Sequence, residues 1–158
     1  MKKLFFLPIL FLFFSCSPDD KEEKPISNPT FDVDLLLKGW RYDTIKIDGI
    51  LYNYQHNSFC YQDHFGFLNR PGQERMFVET TFTNDYCTNN SINMEWKIKK
   101  DKIYLYFGKP LVLTYKVVLL SENQFVFSFE TDIDQDGTID NVEISSTPYD
   151  PYDMYNNN

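Results

Sequence analysis

Asp132, Asp134, Asp136, Gly137, Thr138, Asp140 and Glu143 stand at the first, third, fifth, sixth, seventh, ninth and twelfth positions of a calcium-loop pattern, with Ile139 at the apolar eighth. The chemistry behind that spacing is geometric. Alternate carboxylates converge on one centre as the backbone curls, Gly137 permits the sharp turn, Thr138 offers a carbonyl oxygen, and Glu143 can close the site with both oxygens. No Lys or Arg lies between Glu130 and Glu143 to neutralise the charge. The flanks, 125–130 and 142–146, are β-like, so the loop is expected to join strands rather than helices. Calcium bound there would be a structural staple; the plainer reading of the same residues is a solvated acidic turn.

Other chemistry is sparse. His56 and His64 lie near Cys60 and Asp63, so a nucleophile, base and acid can be drawn on paper, but no nucleophile elbow or Gly-rich scaffold surrounds them. His64 reads as a surface strand residue, no catalytic residue is assigned, and the chain is expected not to be an enzyme. Zinc is disfavoured because Cys60 and Cys87 lack close paired spacing. Tyr104 and Tyr106 alternate with apolar neighbours and could stack on sugars or pack across strands.

The N-terminus sets the compartment. Lys2-Lys3 precede the apolar run 4–14, which is too short to span a bilayer as a mature helix, and Ser15 is small enough for a cleavage site. The ending Leu12-Phe13-Phe14-Ser15-Cys16 resembles a bacterial lipobox, which implies that Cys16 is acylated, for example with palmitate, and becomes the new N-terminus. A plain secretory signal is the alternative. Residues 16–30 carry charges, Ser and Pro with almost no apolar side chain, as expected of a disordered tether. The cluster Asp19-Asp20-Lys21-Glu22-Glu23 resembles the export tag of some outer-membrane lipoproteins, and equally suits a solvated linker. Export implies an oxidising compartment, where Cys60 and Cys87 form an even pair and are expected to be bridged.

At 158 residues the chain has room for one domain, expected over 31–147, with a polar tail at 148–158 that is expected to be disordered. Net charge is −8, or −10 once Lys2 and Lys3 are removed, which argues against nucleic acid or an anionic bilayer face as partner. Aromatic residues make up 18%, and large rings suit pleated, half-buried surfaces.

The elements that would position these residues are strands. Ile92, Met94, Trp96 and Ile98 alternate with polar residues, and Ile103, Leu105 and Phe107 resume the pattern after Lys100-Asp101. A two-residue loop there sets Ile98 opposite Ile103, Trp96 opposite Leu105 and Met94 opposite Phe107. Setting Cys60 opposite Cys87 likewise predicts Phe65 opposite Phe82, Phe67 opposite Thr80 and Asn69 opposite Val78, with the bridge near a sheet end. Leu35-Leu36-Leu37 suggest a short helical plug, Asp48-Gly49 a turn between strands 40–47 and 50–54, and 111–120, 124–131 and 138–146 further strands. About nine extended segments in up-and-down order, without an amphipathic helix, predict an all-β antiparallel meander closing into a barrel of about eight strands.

Gly39-Trp40, Cys60 with Asp63 and Phe65, Cys87, Trp96-Lys97-Ile98, 103–106, 115–119 and 124–127 together resemble the lipocalin-like lipoproteins of bacterial outer envelopes. The resemblance spans roughly 36–129 and implies a small barrel whose interior holds an apolar ligand. Candidate pocket residues are Trp40, Phe65, Phe82, Met94, Trp96, Leu105, Phe107 and Phe127. The expected protein is therefore a calcium-stabilised, disulfide-bridged, monomeric binding lipoprotein of the outer membrane, on its periplasmic or cell-surface face. The alternative is a surface interaction or glycan-binding lipoprotein whose barrel is filled by side chains.

Overall fold

The structure is a computed structural model describing residues 28–83 and 86–150; the signal segment, Cys16, most of the tether and the end of the tail lie outside the described residues. Helix α1 (Val33–Leu36) leads into nine strands: β1 (Gly39–Ile47), β2 (Ile50–Asn53), β3 (His64–Arg70), β4 (Gln73–Thr83), β5 (Thr88–Lys99), β6 (Lys102–Tyr106), β7 (Leu111–Leu120), β8 (Phe125–Thr131) and β9 (Asp140–Pro148). β3 to β9 pair antiparallel in chain order. β1 joins β3 through Trp40–Phe65 on one side and β9 through Ile45–Ile144 on the other, closing an eight-stranded barrel and leaving β2 as an outer strand on β1. Closure satisfies the edges that a meander would otherwise expose.

The β5–β6 hairpin follows its alternation: Ile98 pairs with Ile103 and Trp96 with Leu105. Lys100 takes φ +58° to make the two-residue turn, so pattern rather than favoured turn chemistry fixes this register. The pairing ends at Glu95–Tyr106, and Phe107 leaves the strand for the turn to β7, where it is 64% exposed. β3 and β4 differ from expectation. Phe65 pairs with Glu79 and Phe67 with Phe77, three residues away from the register obtained by setting the cysteines opposite each other. The cysteines lie in loops outside the strands, and the turn Arg70–Gln73 around Pro71-Gly72 sets the pairing instead. An odd shift inverts which face each side chain occupies. Phe77 and Glu79 therefore face inward, and Phe82 faces outward beside Tyr61 and His64.

The two barrel ends are unlike. At one, α1 covers the opening: Leu36 and Trp40 are fully buried, and Trp40 Nε1 donates to the Leu36 carbonyl at 3.2 Å. Thr30 N–H ties the preceding chain to the Lys100 carbonyl at this same end. Above this plug Phe65, Phe67, Phe77, Phe125 and Phe127 form a continuous ring stack, for example Phe67–Phe77 at 5.1 Å and Phe125–Phe127 at 4.9 Å between centroids. At the other end gather the β1–β2 turn, the loop 54–63, the turn after Phe107 and the acidic loop 132–139. Cys60 and Cys87 are bridged there, with Cα atoms 5.2 Å apart.

Candidate functional site

Near the open end the ring stack stops and a cavity of about 240 Å³ begins, lined by Tyr42, Tyr54, Glu79, Leu113, Tyr115, Phe127, Phe129 and Ile144. β1 brings Tyr42, β4 Glu79, β7 Leu113 and Tyr115, β8 Phe127 and Phe129, and β9 Ile144, each as an inward residue of the period-two alternation. Tyr54 follows β2 and swings over the mouth, stacking on Tyr42 at 4.8 Å. Tyr115 contacts Phe127 at 4.3 Å and Phe129 at 5.5 Å. The walls are therefore aromatic on several sides, with one carboxylate among them.

Polar groups here are ordered from the loop. The Asp63 carboxylate, 7% exposed, accepts from Phe82 N–H at 2.7 Å and from the Tyr54 hydroxyl at 3.1 Å. His56 Nδ1 accepts from Asp63 N–H at 3.0 Å, and its Nε2–H donates to the Tyr42 carbonyl at 2.7 Å. With both ring nitrogens on backbone, His56 is a strut of the mouth rather than a base. The Tyr42 hydroxyl donates to Glu79. Burial, and then the neighbouring Glu79 carboxylate, push the phenols of Tyr42 and Tyr115 well above their ordinary range; burial and then Asp63 do the same for Tyr54. All three are neutral hydroxyls at physiological pH.

Of the residues singled out in the sequence, Phe127 alone lines this cavity. Trp40, Phe65, Trp96 and Leu105 are buried in the packed part of the barrel, with Trp96 Nε1 donating to the Leu68 carbonyl at 3.3 Å. Met94 is half-buried against that core. Phe82 and Phe107 are excluded from the interior, the first by the β3–β4 register and the second by its exit from β6. Glu79 and the tyrosines were missed: Phe77-Glu79-Thr81 and Val78-Thr80-Phe82 alternate equally well, and only the Pro71-Gly72 turn distinguishes them. On the outer wall Tyr106 is covered by Lys97, whose Nζ lies 4.9 Å from the ring centroid.

The acidic loop forms the rim of the same mouth. Carboxylate oxygens of Asp132, Asp134 and Asp136 all lie within 4.8 Å of one another. Gly137, at φ +91°, lets its N–H reach back to Asp132 Oδ2 at 3.0 Å, while Asp134 and Asp136 each accept from the backbone two residues on. Asp132 Oδ1 is buried without a hydrogen-bond partner among the described residues, and oxygen-only donors of this kind suit a hard cation. Asp140 accepts from Ile133 N–H at 2.9 Å, and Glu143, on β9, lies 3.5 Å from Lys46 Nζ; neither joins the three aspartates.

A closed eight-stranded barrel, plugged by a short helix at one end and hollow at the other, is the architecture of a small-molecule binding barrel. The chain belongs to the lipocalin-like domain family, whose pattern it matches over residues 36–127. Its fold is similar to that of the major allergen Per a 4 from cockroaches, at 10% identity and a TM-score of 0.52 over 77% of this chain and 71% of that one. It is also similar to a lipocalin-like protein from Bacteroides uniformis, at 14% identity and 0.49, over 73% and 99% of the two chains. Bovine odorant-binding protein, solved with a selenium-containing odorant, shows 13% identity and 0.45 over 82% and 80%. No curated protein matches the sequence. At these identities the likeness concerns the fold.

Proposed function

We propose that this protein is a non-catalytic, lipid-anchored binding protein that holds one small molecule with an apolar body in the mouth of its barrel. The cavity lined by Leu113, Tyr115, Phe127, Phe129 and Ile144 carries this reading. At about 240 Å³ it falls below the ~300–1,000 Å³ of drug-sized sites, so the ligand is small, and the ring-filled half of the barrel adds no room. Calorimetric titration of the purified protein with propylbenzene should give saturable one-site binding. Leu113→Trp, which fills the cavity, should abolish binding while the protein stays folded. No saturation up to the solubility of the probe, or binding indifferent to Leu113→Trp, counts against the reading.

Two supports complete the proposal. Acylated Cys16 and the tether 16–30 would hold the barrel at the outer membrane, a reading that rests on the lipobox-like Leu12–Cys16. Calcium would bind Asp132, Asp134 and Asp136 with the Thr138 carbonyl, Asp140 and, after release from Lys46, Glu143; the three clustered carboxylates and the orphaned Asp132 Oδ1 support the fit. A second reading, a surface interaction protein, draws on the apolar side chains exposed around the mouth, Phe59, Phe107 and Ile133 among them.

A further inference from the structure

The odd register shift of β4 places a carboxylate inside a hydrophobic barrel, and none of the described residues compensates it with a positive charge. Among the described residues no Lys, Arg or His forms an ion pair with Glu79, and none lines the cavity. Among the described residues its hydrogen-bond donor is the Tyr42 hydroxyl, which leaves most of the lone-pair positions of the carboxylate unused. A second carboxylate, Asp63, lies behind Tyr54 at the same end. The Tyr115 side chain is 5% exposed and lines the same cavity. A wholly apolar guest would strip water from Glu79 and return nothing, which is unfavourable for a charged group.

We propose that the cavity selects a small organic amine: its ammonium group is held by Glu79 and the Tyr115 hydroxyl, and its apolar body lies among Phe127, Phe129 and Leu113. An ammonium restores both missing contributions at once. It donates to the unused carboxylate positions, and the π-faces of the tyrosines on the walls, with Tyr42 and Tyr54 stacked at 4.8 Å, attract a cation that comes within about 6 Å of a ring. A carboxylate-bearing ligand of the same shape would meet Glu79 as a like charge and be rejected.

This inference rests on the binding reading above, and one matched series separates the two. Phenethylammonium, propylbenzene and hydrocinnamate share a ring and chain and differ in the charge at the end. Calorimetry on the purified protein at neutral pH should rank them in that order, with the amine at least tenfold tighter than propylbenzene and hydrocinnamate weakest. Glu79→Gln keeps size and hydrogen-bonding capacity; it should remove the preference for the amine over propylbenzene, and a preference that survives it overturns the assignment to Glu79. The wild-type ranking stands as a test even if that variant folds poorly. Equal affinity for amine and hydrocarbon, or a preference for hydrocinnamate, overturns the amine assignment while the binding reading survives. Failure of all three to bind overturns both.

Discussion

Tyr42 and Tyr115 link the interior of the barrel to a measurable pH dependence. Their phenols titrate above the ordinary value of 10.0 because burial, and then the Glu79 carboxylate, disfavour the anion. The folded state thus holds protons that the unfolded chain releases above about pH 10, so these groups lend full stability below that pH and lose it as pH rises further. Each should contribute a slope of up to about 1.4 kcal/mol per pH unit to alkaline unfolding. Denaturant titrations between neutral pH and strong alkali should show the decline, and Tyr115→Phe should flatten it by about one tyrosine; an unchanged slope would place that hydroxyl in water. At this scale the sequence disclosed less than at any other. Phe127 was readable as an inward ring, but Glu79 was hidden because facing depends on register parity, and composition is silent about parity.

Elements were more readable where two constraints agreed. In β5–β6 a strict alternation met a two-residue loop, and the register followed. In β3–β4 the cysteines offered a pairing by spacing, yet Cys60 and Cys87 sit in loops whose length is free, so their bridge carries no information about strand register. The bridge closes a sequence separation of 27 residues, worth on the order of 3 kcal/mol in the loop-entropy account. Reduction should lower the thermal midpoint by roughly 10 °C; a midpoint unmoved by reductant would show that the mouth loop is held by Asp63 and His56 alone. For the acidic loop the spacing of the carboxylates is what motivates the calcium proposal, and calcium itself tests it. With a dissociation constant of about 10⁻⁴–10⁻³ M, ~1 mM calcium should stabilise the barrel by about 0.4–1.4 kcal/mol, and Asp132→Ala should erase the increment. Calorimetric scans in chelator, calcium and magnesium decide it: equal shifts with both ions, or none, would reduce the loop to an acidic turn.

For the whole molecule, closure was predictable from the count of strands and the absence of amphipathic helices, since a long meander must otherwise leave two edges. How the interior divides into a packed and a hollow half was not, because it depends on which rings meet across eight strands. The plug is as important as the cavity. Leu36→Ala should cost about 2–5 kcal/mol by leaving a void beneath Trp40, measured by denaturant midpoint, with propylbenzene binding at the far end retained in the folded fraction. Cys16→Ser should release the protein from membranes into the soluble fraction; a variant that still sediments would mean that something other than an acyl chain anchors it.

The central claim is that the mouth of the barrel is a ligand site, and methyl NMR tests it most directly. Leu113 and Ile144 line the cavity, whereas Leu36 and Ile103 are fully buried in the packed part of the core. Titration with propylbenzene and phenethylammonium should move the Leu113 and Ile144 methyl signals along saturable curves and leave those of Leu36 and Ile103 in place. Unmoved Leu113 and Ile144 signals, or shifts confined to exposed Ile50 and Leu51, would contradict a binding site inside this barrel.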